Sequence, residues 1–391
     1  MHIPDGFKFG SAACGIKSEG NDLGLIVANA NCTSAGVYTT NLVRASCIDQ
    51  NAAKTPTASL RSIVVNSGNA NACTGELGEQ NSRQMASSVA SAIGCNAEQV
   101  LVLSTGVIGQ QLPMENINSG IMSAAHGLNN TPEDIDGLAH AFMTTDKFLK
   151  VVSSKSDIGG NSTSILGIAK GAGMIGPNMA TMLSVILTDA TLSPDQAQRF
   201  LKSAVDESFN RISVDGHTST NDAVLLLASG TGTAIEGSKA MQLQDQITSQ
   251  CIDLAKMIPT DGEGASHLIE IRVTGTDRDE QADRIARVVA ASNLVKTAIS
   301  GCDPNWGRIV SAVGYAGVQI NPRNISLSLC DTPIYESGSP SIFDESNVSQ
   351  AMVDQKEIPI HINVGDGEGK SVHWTSDLTT DYVKLNADYR T

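Results

Sequence analysis

The residues best placed by type and spacing to do chemistry lie in one stretch, Lys170-Gly-Ala-Gly-Met-Ile-Gly-Pro-Asn-Met-Ala-Thr-Met-Leu183. Its centre, Gly171-Ala-Gly-Met-Ile-Gly176, matches G-x-G-x-x-G and follows an apolar, strand-like run from Ser164 to Ile168. That pattern holds a pyrophosphate only where a helix opens inside the glycines, so that the unpaired N–H groups of its first turn face the phosphates. Here Pro177 and a second strand-like run follow. The order predicts a flexible glycine turn presenting Ala180-Thr181 at the head of a strand, and it sets a non-enzymatic nucleotide-binding protein aside as the weaker reading. No G-x-S-x-G elbow, P-loop or H-E-x-x-H occurs, which removes the common hydrolase, kinase and zincin chemistries.

Metal chemistry is not predicted either. The eight cysteines are scattered without a C-x-x-C pair, and the seven histidines show no ligand spacing along a helix. Such thiols suit reduced, mostly buried positions rather than zinc or a disulfide framework. A net charge of −15 repels phosphate backbones and argues against a nucleic-acid partner. The first residues, Met-His-Ile-Pro-Asp, carry neither a basic nor an apolar leader pattern, and no apolar run reaches the ~20 residues of a membrane span. A cytoplasmic protein without a membrane partner is expected.

The elements that must position these residues read as a mixture of strands and helices. With aromatics at 4% and 36 glycines, the core is to be filled by aliphatic side chains, with many close backbone approaches. Strands are predicted at 62–66, 100–104, 181–188, 223–228 and 267–273. Helices are predicted at 80–93, with Gly94 as C-cap, and at 239–258. Ser193-Pro-Asp-Gln196 should start another, with Ser193 at the N-cap, Pro194 at N1 and Gln196 at N3. Helical spacing recurs over 277–298, and a domain boundary is placed near its start, giving a core of residues 1–280 and a C-terminal α/β domain of residues 281–391.

The block 170–183 closely resembles the signature of the ornithine acetyltransferases, or glutamate N-acetyltransferases, of the cyclic arginine pathway, a family of N-terminal-nucleophile type. The likeness runs along essentially the whole chain. It includes Asn66-Ser-Gly-Asn-Ala-Asn-Ala-Cys-Thr-Gly75, Ser104-Thr-Gly-Val-Ile-Gly109, Met143-Thr-Thr-Asp146, Asp261-Gly-Glu-Gly264, Asp303-Pro-Asn-Trp-Gly-Arg308 and Asn386-Ala-Asp-Tyr-Arg-Thr391.

The resemblance implies an α/β fold of stacked, largely antiparallel sheets flanked by helices. It implies self-cleavage between Ala180 and Thr181 into an α chain, 1–180, and a β chain, 181–391, associated as a heterotetramer. Thr181 would then be the nucleophile, its freed α-amine serving as base, in a ping-pong transfer of acetyl from N-acetylornithine to glutamate. Thr105 and Gly106 would stabilise the oxyanions. Thr144 (Thr145 lies beside it), Lys170, Thr181, Glu263, Asn386 and Thr391 would bind substrate, the C-terminal tail reaching the active site. No cofactor is implied. Acetyl-CoA stands as a second donor in bifunctional members, which carry the same motifs, and a secondary-metabolism paralogue or a self-cleaving aminopeptidase shares the fold. One departure lies in Val214-Asp-Gly-His-Thr-Ser-Thr-Asn-Asp222, where His217 occupies a position at which the family typically has Asp.

Overall fold

The computed structural model describes every residue except 159, 177–181, 233, 236 and 389–391, and at Asn161 the backbone alone. The chain packs as two units. The first comprises Met1–Asn210 and His217–Met257, and the second comprises Arg211–Gly216 and residues 258–388. The elements of the first unit are β1 (Phe7–Ala12), β2 (Leu23–Tyr38), α1 (Ser46–Ala52), β3 (Thr57–Asn69), α2 (Gly75–Ile93), β4 (Val100–Val107), α3 (Met114–His126), α4 (Pro132–Phe142), β5 (Lys150–Ile158), β6 (Asn161–Lys170), β7 (Leu183–Thr188) and α5 (Pro194–Glu207). After β8 (Ile212–Ser213), which belongs to the second unit, β9 (Ala223–Ala228) and α6 (Ser238–Thr260) complete it.

These strands form one sheet in the order β4-β3-β2-β9-β7-β6-β5, with β1 on β2. The pairs β3–β4 and β7–β9 are parallel and the others antiparallel. Strands β7 and β9 are buried at every residue because helices cover both faces of the sheet, and β9 accordingly reads as an unbroken apolar run. Leu183, Val185, Leu187, Leu225 and Leu227 pack in one cluster with Ile117, Ile121, Leu138 and Phe142 of α3 and α4. On the other face a Cβ at Gly167 of β6 would lie 2.7 Å from Leu254 of α6, so this glycine lets the helix sit close. Helix α5 lies against β2, where the Gln198 amide pairs with both backbone groups of Gly36 at 3.3 and 3.0 Å.

The second unit continues with β10 (Leu268–Gly275), α7 (Asp279–Ala291), α8 (Asn293–Ser300), α9 (Trp306–Gly314), β11 (Ser326–Leu329), β12 (Thr332–Glu336), β13 (Ser339–Pro340), α10 (Glu345–Asp354), β14 (Glu357–Asn363), β15 (Gly367–Ser376) and α11 (Thr380–Asp388). Its sheet runs β13-β12-β11-β14-β10-β15-β8. Alternation with period two is plain here. Ile269, Ile271 and Val273 of β10, and Ile358, Ile360 and Ile362 of β14, point into a core with Ile285 and Val289 of α7, while Glu270, Arg272, His361 and Asn363 occupy the opposite face.

The mixed α/β class with largely antiparallel sheets flanked by helices is thus observed, one sheet to each unit. The boundary differs from the one expected near residue 280. Strand β10 belongs to the second unit because its partners are β14 and β15, so the division falls at 257/258, in the last turns of α6. No helix among the described residues is long and apolar enough to cross a membrane.

Helix α5 starts as predicted. The Ser193 hydroxyl accepts from the Gln196 N–H at 3.3 Å and the Gln196 side chain returns to the Ser193 N–H at 3.0 Å, with Pro194 at the first position. Ser193→Ala should therefore lower stability by about 1 kcal/mol, and Ser193→Thr by a few tenths at most, in urea unfolding.

Candidate active site

Strand β4 closes with Ser104, Thr105, Gly106 and Val107 and runs parallel to the end of β3. The register slips at Gly68/Asn69, and the two backbones approach so closely that a Cβ at Gly106 would lie 2.3 Å from the Gly68 carbonyl carbon. With φ of +129° as well, position 106 admits only glycine. Buried Thr105 faces the end of β6, where the Lys170 ammonium lies 3.4 Å from its Oγ1.

Lys170 is itself buried, and Asp146 supplies the countercharge nearby. The Asp146 Oδ1 accepts from the Lys150 ammonium at 2.8 Å and from the Gly171 N–H at 2.6 Å, and its Oδ2 accepts from the Thr144 N–H at 3.1 Å. Burial pushes this carboxyl up, but the charges of Lys170 and Lys150 and the hydrogen bonds overcome it and hold it down at about 2. One carboxylate therefore joins Thr144, the start of the glycine turn and two buried lysines. The glycine turn opens no helix among its described residues, 171–176, and its first N–H is spent on Asp146 rather than offered to a phosphate.

A cavity of about 440 Å³ adjoins this network, lined by Lys17, Asn21, Gly68, His140, Thr144 and Asp146. The loop before β2 that carries Lys17 is held by the Asp22 carboxylate, which accepts from the N–H groups of Cys14, Ile16 and Lys17 at 2.7, 2.6 and 3.1 Å. The Lys17 ammonium donates to the carbonyls of His140 and Met143 at 3.2 and 3.0 Å, tying the loop to the end of α4.

On the other side of the glycine turn, the Met182 N–H donates to the Asp222 Oδ1 at 3.0 Å. Asp222 is wholly enclosed, and burial pushes its carboxyl well above the usual range, the Met182 N–H, the Lys170 charge and Ser219 pulling the other way. The buried thiols Cys32, Cys47 and Cys251 are pushed up to about 12 by burial, so none of these three is an activated nucleophile.

In the second unit, the Asn386 amide on α11 donates to the Glu263 Oε2 at 2.9 Å. Gly264 makes that meeting possible: its φ is +71°, and a Cβ there would lie 2.3 Å from the Tyr382 nitrogen. The Thr379 hydroxyl anchors the helix start by donating to the Gly264 carbonyl at 2.7 Å. Nearby, Ser266, His267 and Asp377 carry the residue types of a hydrolytic triad without its geometry. Ser266 Oγ donates directly to the Asp377 carboxylate, and both Ser266 Oγ and Asp377 Oδ2 lie on the Nδ1 side of His267, at 2.9 and 3.4 Å. A relay needs the serine and the carboxylate on opposite ring nitrogens.

Of the residues singled out from sequence, Thr105, Gly106, Thr144 and Lys170 converge in the first unit, and Glu263 meets Asn386 in the second. Ala180, Thr181 and Thr391 lie outside the described residues. Sequence reasoning gave no role to Asp146 or Asp222, although both end motifs that it singled out, Met143-Thr-Thr-Asp146 and the stretch ending at Asp222. Their roles appear only once their partners, 25 and 40 residues distant, are seen beside them.

The Asp146 contribution has a pH signature. Its carboxyl titrates at about 2 when folded against an ordinary 3.8. About 2 kcal/mol of stability is therefore complete above about pH 4 and is lost as the pH falls towards 2. Asp146→Ala leaves the buried Lys150 and Lys170 charges without this carboxylate and should cost about 3–5 kcal/mol at neutral pH. Urea midpoints measured across pH 2–7 for wild type and variant check both effects.

The sequence profile of the ArgJ family matches residues 8–391. A protein of Rhodopirellula baltica named arginine biosynthesis bifunctional protein ArgJ is 46% identical, covering 100% of this chain and 96% of its own. One of the same name from Thermotoga neapolitana is 43% identical over all of both chains. The crystal structure of the ArgJ bifunctional protein from Bacillus halodurans is 38% identical with a TM-score of 0.50, covering 51% of this chain and 96% of its own. On the strength of the full-length profile match and these relatives, this chain belongs to the ArgJ family.

Proposed function

We propose that this protein is an acetyltransferase of arginine biosynthesis that moves acetyl from N2-acetylornithine to glutamate, giving ornithine and N-acetylglutamate, after cutting itself between Ala180 and Thr181. In the cut, the Thr181 hydroxyl adds to the Ala180 carbonyl, the peptide C–N bond breaks, and water resolves the ester. The freed α-amine, with an ordinary pKa of roughly 7.7 to 8.0, is partly neutral near pH 7 and takes the hydroxyl proton. Attack on the acetyl carbonyl of N-acetylornithine forms acetyl-Thr181 and expels the ornithine amine. The glutamate amine then attacks the ester, restoring the hydroxyl. Acetyl is carried on the protein itself, so the transfer calls for no cofactor, and acetyl-CoA enters as a second donor at the same step.

Both halves pass through tetrahedral oxyanions, for which Thr105 and Gly106 are the proposed donors. Lys170 is suited to an amino-acid carboxylate and Glu263 to a cationic amine. Thr144, Asn386 and Thr391 complete the proposed substrate residues. The observation that carries this reading is the buried Lys170 ammonium 3.4 Å from Thr105 at the glycine turn that leads to Thr181. A cationic group sealed beside a backbone turn, with its countercharge provided by Asp146, is preorganised for an anionic substrate or intermediate. The half-length match of the Bacillus halodurans chain also fits a precursor that ends as two chains. The two chains of the cleaved protein are proposed to associate as a heterotetramer of two each, in the cytoplasm.

Intact mass spectrometry beside an acetyl-transfer assay tests the reading. Wild type should give two fragments meeting at Ala180/Thr181 and transfer acetyl from N-acetylornithine to glutamate. Thr181→Ala should give one uncut chain without activity. A wild type that stays in one piece would overturn the mechanism.

A further inference from the structure

The segment 218–222 is stitched to the loop before α1 along its length. Asn41 Nδ2 donates to the Thr218 carbonyl at 2.9 Å, Thr39 Oγ1 to that of Ser219 at 2.8 Å, the Ala45 N–H to that of Thr220 at 2.9 Å, and the Thr39 N–H to that of Asp222 at 3.0 Å. Within it, Asn221 Oδ1 accepts from the Thr220 hydroxyl at 2.6 Å and the Asn221 N–H donates to Ser219 Oγ at 3.1 Å. So many fixed points leave the Asn221 side chain little freedom.

Asn221 is buried and uses its amide nitrogen on two carbonyls, Ala70 at 2.6 Å and Ser104 at 2.8 Å. An amide nitrogen carries two hydrogens, so its donor capacity is filled. The Ser104 carbonyl belongs to the same planar, trans peptide as the Thr105 N–H, and the two point in opposite directions. A grip on that oxygen therefore fixes the peptide that carries Thr105, whose N–H turns to the neighbouring β3 and whose Oγ1 lies 3.4 Å from the Lys170 ammonium. The next residue, Asp222, holds the N–H of Met182, which follows Thr181 in the chain, and the Ala223 N–H donates to the Met182 carbonyl at 3.2 Å.

We infer that Asn221 and Asp222 form a positioning clamp, in which one dipeptide sets the Thr105 hydroxyl, as oxyanion donor, against Met182, the residue that follows the proposed nucleophile in the chain. The inference rests on the acetyl-transfer reading above. Neither residue is asked to touch substrate. Their hydrogen bonds hold two elements from distant parts of the sequence, β4 and β7, in register with one another. Simple satisfaction of buried carbonyls would affect stability alone, whereas a clamp affects the chemical step, because misplacement by about 1 Å costs on the order of a hundredfold in rate.

The test compares Asn221→Ser, Asp222→Asn and Asp222→Ala with wild type by melting temperature, self-cleavage rate, and kcat and KM of the cut fraction. Wild-type cleavage and transfer, run in parallel, report on the acetyl-transfer reading itself, so that its failure is seen separately. Asn221→Ser should lower kcat and the cleavage rate about ten- to a hundredfold, with KM changed by no more than about twofold. Asp222→Asn, which keeps an oxygen for the Met182 N–H, should stay within about threefold of wild type, while Asp222→Ala falls with Asn221→Ser. If Asn221→Ser does not fold, Asn221→Asp, of the same shape but without the amide donors, replaces it. An Asn221 variant that melts lower yet cuts and turns over as wild type overturns the clamp. So does an Asp222→Asn as impaired as Asp222→Ala, which would assign Asp222 a charge or proton rather than an acceptor.

Discussion

The buried carboxylate of Asp146 is the constraint around which the first unit's site is organised. Lys150 and Asp146 are both fully enclosed, and Lys170 is sealed nearby. Removing a charge from water costs several kcal/mol, so neither ammonium is tolerable there unless a carboxylate and good hydrogen bonds compensate it. Asp146 satisfies that condition through both oxygens, and in doing so fixes Thr144 and Gly171 by their backbone N–H groups. The electrostatics that make Lys170 tolerable thus also place the glycine turn and the residue proposed to bind substrate.

Backbone proximity is the second ingredient. At Gly106 the parallel strands β3 and β4 come together more closely than any Cβ allows, and at Gly264 the C-terminal helix closes on the Asp261–Gly264 turn in the same way. The glycine-rich, aromatic-poor composition has its physical reason here. Side chains such as Asn221 and Asp222 then do what a regular ladder cannot: they hold individual peptide groups in directions that strand pairing alone does not set.

How far the sequence discloses this architecture varies with how local the cause is. The strand 223–228 has the bounds expected from its apolar run, and α5 begins at the Ser193 cap, because both signals lie within a few adjacent residues. Helix α2 begins at Gly75, five residues ahead of expectation, since Gly78 breaks the apolar spacing. A Cβ there would lie 1.9 Å from the Thr74 hydroxyl, so close packing rather than helix propensity decides that residue. The strand at β10 is legible, but its membership of the second unit depends on pairing with β14 and β15, about ninety and about a hundred residues away. The site divides similarly. Thr105, Gly106 and Lys170 stand out through motifs, whereas Asp146, Asn221 and Asp222 matter because of what folding brings beside them.

On the proposed mechanism, acetyl rests covalently on Thr181 between donor and acceptor. The most direct measurement is to expose the cut protein to N-acetylornithine labelled in its acetyl group, without glutamate, then digest it and locate the label. One acetyl group on the hydroxyl of the peptide beginning at Thr181, discharged when glutamate is added, is the predicted result. Transfer to glutamate that proceeds while that peptide stays unlabelled would contradict the account and require direct transfer between two bound substrates.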